Sequence, residues 1–219
     1  MNPTHLLVVV PLLLALSACA GFRGGWESVS YIGEPPAAVP VSRTAYESAN
    51  RPPIKLPGLS LRVEIDNRVR TRDTQVILFA LPVSFDPRDV QTSVATPGRT
   101  RVRITVTPEQ PGYAFHPAQA EFRIGDQVYR GVAGFEFGRW NDKGERDAEH
   151  GKWNDRSLGE SMSLDAGKST YLSVEFDVPS PSARRSDLSL DLTRALTGPE
   201  GPAVPLIRFA PARWKEGYT

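Results

Sequence analysis

The 219-residue chain reads as an all-β protein. Three observations carry that reading. Short segments alternate apolar and polar residues with period two, the pattern of strands with one buried face. Turn residues, 20 Pro and 18 Gly among them, punctuate these segments without a regular repeat. No window sustains the i, i+3, i+4, i+7 apolar spacing of an amphipathic helix. Many short strands with turns every ~8–12 residues predict a sandwich or barrel.

The folded domain is expected over 58–212. Leu59, Leu61, Val63 and Ile65 alternate with Ser60, Arg62, Glu64 and Asp66, which predicts a strand. Val76 to Leu81 is a continuous apolar run closed by Pro82. Arg101 to Thr107 alternates again, and Pro108 and Pro111-Gly112 mark the turn after it. Ala120 to Ile124 and Val128-Tyr129 flank Gly125-Asp126, a hairpin signal. Phe135-Glu136-Phe137 and Tyr171 to Val178 alternate. Leu188, Leu190 and Leu192 alternate strictly, which favours strand over the helix that Leu188 to Leu196 otherwise suggests. Val204 to Phe209 is the expected last strand, and 213–219 a C-terminal tail.

Leu164-Asp165-Ala166-Gly167 followed by Tyr171 to Pro179 resembles the penultimate strands of small immunoglobulin-like domains in exported bacterial proteins. That resemblance covers about fifteen residues. It implies an immunoglobulin-like β-sandwich preceded by a signal peptide and a Pro-rich tether.

Leu6 to Leu16 is nearly all Leu, Val and Ala, broken by Pro11. Eleven residues are too short for a bilayer core, which takes roughly 20. A short apolar core followed by small residues is the shape of a secretory signal peptide. The run ends in Leu16-Ser17-Ala18-Cys19, which resembles the lipobox of bacterial lipoproteins. The resemblance implies removal of 1–18 and acylation of Cys19, the only cysteine in the chain. Two or more acyl chains, at about 0.8 kcal/mol per buried CH2, anchor stably. In that family Ala20 after the cysteine implies the outer membrane, with a periplasm-facing domain as the expected orientation. The segment 19–57 reads as a tether, since Gly24-Gly25, Glu34-Pro35-Pro36, Pro40, Arg51-Pro52-Pro53 and Pro57-Gly58 suit extended chain. Trp26, Tyr31 and Ile32 are candidates to dock on the domain.

Lys plus Arg (26) nearly balances Asp plus Glu (25), so no strong field favours nucleic acid. No Gly-x-Ser-x-Gly, Ser-x-x-Lys or His-Glu-x-x-His occurs, and an acylated Cys19 is no nucleophile. His116, before Pro117, reads as structural.

The segment 138–160 carries the strongest signal beyond fold. Arg139-Trp140-Asn141-Asp142-Lys143 is echoed thirteen residues later by Lys152-Trp153-Asn154-Asp155-Arg156. As a binding loop, its Trp faces and its Asn and Asp side chains suit a sugar ring or a protein hot spot. As a hairpin extension, its two Trp would pack on each other or cover a sandwich edge. Asp142, Glu145, Asp147, Glu149 and Asp155 are oxygen ligands of the kind calcium takes. Interleaved Arg139, Lys143, Arg146, Lys152 and Arg156 cancel their field, and the spacing fits no EF-hand. His150, without a paired His or Cys, is a poor zinc ligand. No metal or cofactor is therefore expected. Arg68, Arg70, Arg72 and Arg99, Arg101, Arg103 sit at alternate positions. Each set is either a solvated, edge-protecting face or a site for anionic lipid head groups, lipopolysaccharide phosphates or an acidic partner.

These readings lead to a non-enzymatic, lipid-anchored binding or accessory module of the cell envelope. Its contacts to an envelope protein or glycan would come from Trp140, Asn141, Asp142, Trp153, Asn154 and Asp155. Two alternatives stand beside it. One is a hydrolase of envelope glycans or peptides using Asp142, Asp155 or Glu160. The other is an assembly factor recognised at a sheet edge by strand addition.

Overall fold

The computed structural model describes residues 20–35, 52–77, 81–84, 90–91, 95–199 and 204–218. The expected signal peptide, Cys19 and residues 36–51 of the expected tether lie outside them. The described chain is all-β, with one 3-10 turn at Pro117–Gln119. Its strands are β1 (Ala20–Tyr31), β2 (Ile54–Leu56), β3 (Leu59–Ile65), β4 (Val69–Ile77), β5 (Leu81–Ser84), β6 (Val90–Gln91), β7 (Thr100–Pro108), β8 (Tyr113–Phe115), β9 (Glu121–Ile124), β10 (Gln127–Trp140), β11 (Lys152–Ser157), β12 (Met162–Leu164), β13 (Thr170–Phe176), β14 (Leu188–Asp191), β15 (Leu196–Thr197) and β16 (Ile207–Tyr218). No described helix is long and apolar enough to cross a membrane.

Among the described residues, one curled antiparallel sheet runs β2-β3-β7-β13-β10-β9-β14-β16-β1-β4-β5, with β11 added to β10 and β6 to β4. Strands β12, β8 and β15 form a small second sheet. The curl happens within β10. Gln127 to Arg130 pair with β9, whereas Gly131 to Phe137 pair with β13 and Phe135 to Trp140 with β11. A register shift between Gly131 and Ala133 lets one strand serve both arms. Gly131 is also where a Cβ would lie 2.2 Å from the Pro117 carbonyl oxygen, so only glycine fits.

The alternation expected of β3 is met: Leu59, Leu61, Val63 and Ile65 are buried and the residues between are half-buried. Pro57-Gly58 makes the two-residue turn into it, with Gly58 at φ 70°. Gly125-Asp126 closes the expected hairpin, pairing Ile124 with Gln127. The core lies between the two arms. Val102, Ile104, Val106, Leu172, Val174 and Phe176 come from one arm, and Phe122, Leu188, Leu190, Ile207 and Phe209 from the other. Phe122 and Phe176 meet across it with ring centroids 5.4 Å apart.

Two boundaries differ from those the sequence predicts. Ala20–Tyr31, assigned to the tether, is a sheet strand between β16 and β4. Ile54–Leu56 likewise belongs to the sheet, ahead of the predicted start at 58. At the other end β16 runs to Tyr218, so most of 213–219 is strand and not tail. Trp214 is buried there and donates its indole N–H to the Val69 carbonyl at 3.2 Å.

Candidate binding surface

The segment 138–160 is a hairpin extension in which β11 pairs with the end of β10. Trp140 faces Lys152 and Trp153 faces Arg139, one step out of register. Successive residues on a strand point to opposite faces, so the two Trp lie on opposite sides of the sheet. Trp140 is 8% exposed, and its indole N–H donates to the Asn154 carbonyl at 3.0 Å. The Arg146 and Arg156 guanidinium groups lie 5.1 and 5.3 Å from its ring centre. Buried Glu136, on the same side, is ion-paired to Arg146. Trp140 is thus a structural ring that covers this edge.

The polar residues of the tip hold the tip itself. Asn141 accepts the Lys143 and Glu145 backbone N–H groups on Oδ1, each at 2.9 Å. Arg139 donates to the Gly151, Glu149 and Ala148 carbonyls. Asp147 accepts the Glu149 and His150 N–H groups at 3.0 and 2.8 Å. The bond from His150 is the main cause that holds the Asp147 carboxyl below its ordinary range. Asn154 Oδ1 accepts the Asp155 N–H, and Asp142 is exposed on the turn. Among the described residues no group of three or more His, Cys, Asp or Glu is placed to hold a metal ion.

Trp153 has the opposite setting. It is 62% exposed and stacks on Phe137, itself 44% exposed, with centroids 5.3 Å apart and ring planes 17° from parallel. Phe137 pairs directly with Tyr171 of β13, which is 49% exposed. Three aromatic side chains on three adjacent strands therefore line one outward face. With strands ~4.8 Å apart, the strip is roughly 10 Å across. The sequence reading found Trp153 but missed Phe137 and Tyr171, which it used only as markers of alternating strands.

An ion-pair network borders the strip. Arg101 joins Asp155 of β11 at 2.5 Å to Glu175 of β13 at 2.8 Å, and its guanidinium lies over the Phe135 ring at 4.7 Å. Glu175 has no exposed surface. It also accepts the Thr96 N–H at 3.1 Å, the Thr96 hydroxyl at 2.8 Å and Arg99 at 3.4 Å. Burial by itself would raise its pKa. The hydrogen bonds from Arg101 and Thr96 outweigh that and hold the carboxyl below the usual range. Burial would likewise lower Arg101, and its bonds to Glu175 and Asp155 reverse the sign. Arg103 pairs with Asp66 at 3.3 Å, so all of Arg99, Arg101 and Arg103 have carboxylate partners.

The carboxylates of the hydrolase alternative are not brought together. Asp155 is held by Arg101. Asp142 and Glu160 lie beyond opposite ends of the six-residue β11, roughly 20 Å apart at ~3.3 Å per residue. A glycosidase pair works at about 5–10 Å. No protein-family model, curated protein or solved structure matches this chain.

Proposed function

We propose that this chain is a non-enzymatic, lipid-anchored binding module of the cell envelope, held by Cys19 in the outer membrane and facing the periplasm. What supports the anchor is the apolar leader ending in Leu16-Ser17-Ala18-Cys19. An immunoglobulin-like reading of the scaffold belongs to the same proposal. It is supported by two antiparallel arms closing on one core.

The observation that carries the binding reading is the outward strip of Trp153, Phe137 and Tyr171. Large rings exposed together on a rigid sheet lose little entropy on contact and bury much apolar area. Trp153 rests one face on Phe137 and is otherwise largely in solvent. Asp155, two residues along β11 on the same face and a third exposed, adds a polar group beside it. That combination suits an envelope glycan, whose sugar rings pair apolar faces with hydroxyl edges.

The test is binding of peptidoglycan and polysaccharide fragments to the wild-type chain, Trp153→Ala and Tyr171→Ala. The expected result is retention by wild type and loss of about tenfold or more in each variant, with unfolding midpoints unchanged. In-cell crosslinking of the same variants runs alongside. A discrete envelope protein captured by wild type and lost in Trp153→Ala, without glycan binding, would replace the glycan with a protein partner. Capture that survives Trp153→Ala but fails when proline is placed in β11 would move the site to the sheet edge.

A further inference from the structure

A second surface lies on the other arm of the sheet, around β1. Gly24 pairs with Lys215 of β16 on one side and with Arg72 of β4 on the other. Side chains directly opposite on paired strands share a face. A position with no side chain is thus flanked by two exposed cations. Two residues along, on the same face, Trp26 pairs with Arg213. The Arg213 guanidinium lies 5.0 Å from the Trp26 ring centre and that of Arg184 lies 5.8 Å from it. The result is a groove of about 670 Å³ floored by Gly24 and Gly25. Its walls are Trp26, Arg72, Arg184, Arg213 and Lys215.

The groove matches one ligand chemistry. Four basic side chains converging on one groove favour an anion with more than one charged oxygen. Arg presents a fork suited to phosphate, and stacking on Trp26 keeps the Arg213 fork oriented. The gap at Gly24 lets a tetrahedral group approach the strand between Arg72 and Lys215. We propose that this groove binds a phosphate-bearing head group, with Arg72, Lys215 and Arg213 as its ligands and Trp26 as its wall.

The phosphate can come from a lipid or from a soluble ester, and position on the chain favours the lipid. Gly24 is four residues from Ala20, where β1 begins, about 13 Å along the strand, and Cys19 precedes Ala20 in the sequence. An acyl chain on Cys19 would hold the groove near the head groups, where Trp and cationic side chains concentrate. This choice of source rests on the anchor reading above, whereas the anion site does not.

The test uses the full chain in neutral detergent micelles. One arm dopes the micelles with phosphatidylglycerol or with phosphatidylcholine. The other adds inorganic phosphate or glycerol phosphate to undoped micelles. Binding is read by tryptophan fluorescence in wild type, in Arg72→Ser/Lys215→Ser/Arg213→Ser, and in a control of equal charge loss, Arg130→Ser/Lys143→Ser/Lys168→Ser. Mass spectrometry of Cys19 decides the anchor separately.

The expected result is saturable phosphatidylglycerol binding by wild type and by the control, weakened more than about tenfold in the groove variant. Phosphatidylcholine should show none of this charge dependence. Soluble phosphate binding with the same variant dependence, and no preference for the lipid, would keep the site and overturn the lipid source. Equal weakening in both triple variants would show a general charge effect and overturn the site. Binding unchanged in the groove variant would do the same.

Discussion

Trp140→Ala removes a ring buried over Gly138, bonded to the Asn154 carbonyl and flanked by two guanidinium groups. Loss of a buried Trp costs about 3–5 kcal/mol in cores, and the low end suits this edge position. Trp153→Ala removes a ring that solvent already reaches, so its expected cost is within about 1 kcal/mol. Urea unfolding of the two single variants checks this. Equal losses would mean that the two rings share one environment. The echoed Trp-Asn-Asp was visible in the sequence, but its meaning was not. Pairing register decides which face each Trp takes, and register depends on where the turn closes. Gly25 makes a comparable point about backbone. A Cβ there would sit 1.8 Å from the Val69 carbonyl oxygen, in the register shift between β1 and β4. Gly25→Ala must push β4 away, and we expect a fall in thermal midpoint of several degrees. An unchanged midpoint would place that contact elsewhere.

Strand β10 shows how far alternation can be followed. Phe135-Glu136-Phe137 predicts a strand, which is present. Hydrophobicity alone would turn the Phe residues inward and Glu136 outward. Instead Glu136 is 4% exposed and Phe137 faces solvent. The inner positions are Gly134, Glu136, Gly138 and Trp140, which is a packing solution and not a hydrophobic one. A Cβ at Gly134 would lie 2.4 Å from Pro117, and one at Gly138 would lie 3.1 Å from the Trp140 ring. The glycines make room for Pro117 and for the indole of Trp140 on the same strand, and Arg146 neutralises Glu136. No period-two rule contains those partners. The clamp at Glu175 belongs to the same scale, since it ties β13 to β7, to β11 through Arg101, and to Thr96. Its folded pKa is depressed. The stabilisation is therefore complete above the unfolded value near ~4.3 and is lost as pH falls through the folded value. Glu175→Gln should cost about 3 kcal/mol at pH 7 by leaving Arg101 half-paired in a buried setting. It should also flatten the acid limb of the stability profile. Urea midpoints measured from pH 7 downward would show both effects. A variant with an unchanged acid limb would assign that limb to other carboxylates.

At the scale of the molecule, the largest difference between sequence and structure is the place of residues 20–31. Their Gly and the prolines after them read as a tether because the buried positions of β1 are not apolar. Among the residues of β1 whose burial is described, Gly25, Glu27 and Ser28 are buried. Ser28 accepts a hydrogen bond from buried Asn67 at 2.9 Å, a pairing that no hydropathy pattern reports. β16 is obscured similarly. Its buried positions change phase between Phe209 and Ala212, across Pro211, although its pairing with β1 is continuous. Strands β3 and β7 were legible because their apolar residues alternate without such interruptions. The consequence is testable by truncation. A tether can be deleted without effect on the domain it carries. A strand held between β16 and β4 cannot, because its removal strips the backbone partners from both and uncovers Trp214. We expect a chain that begins at residue 32 to lose cooperative unfolding in urea and the near-ultraviolet signal of its ordered Trp side chains. A chain that begins at residue 20 should keep both. If the shorter chain instead unfolds at the same midpoint with the same slope, β1 contributes nothing to the fold. The groove over Gly24 would then be a surface of the tether and not of the sheet.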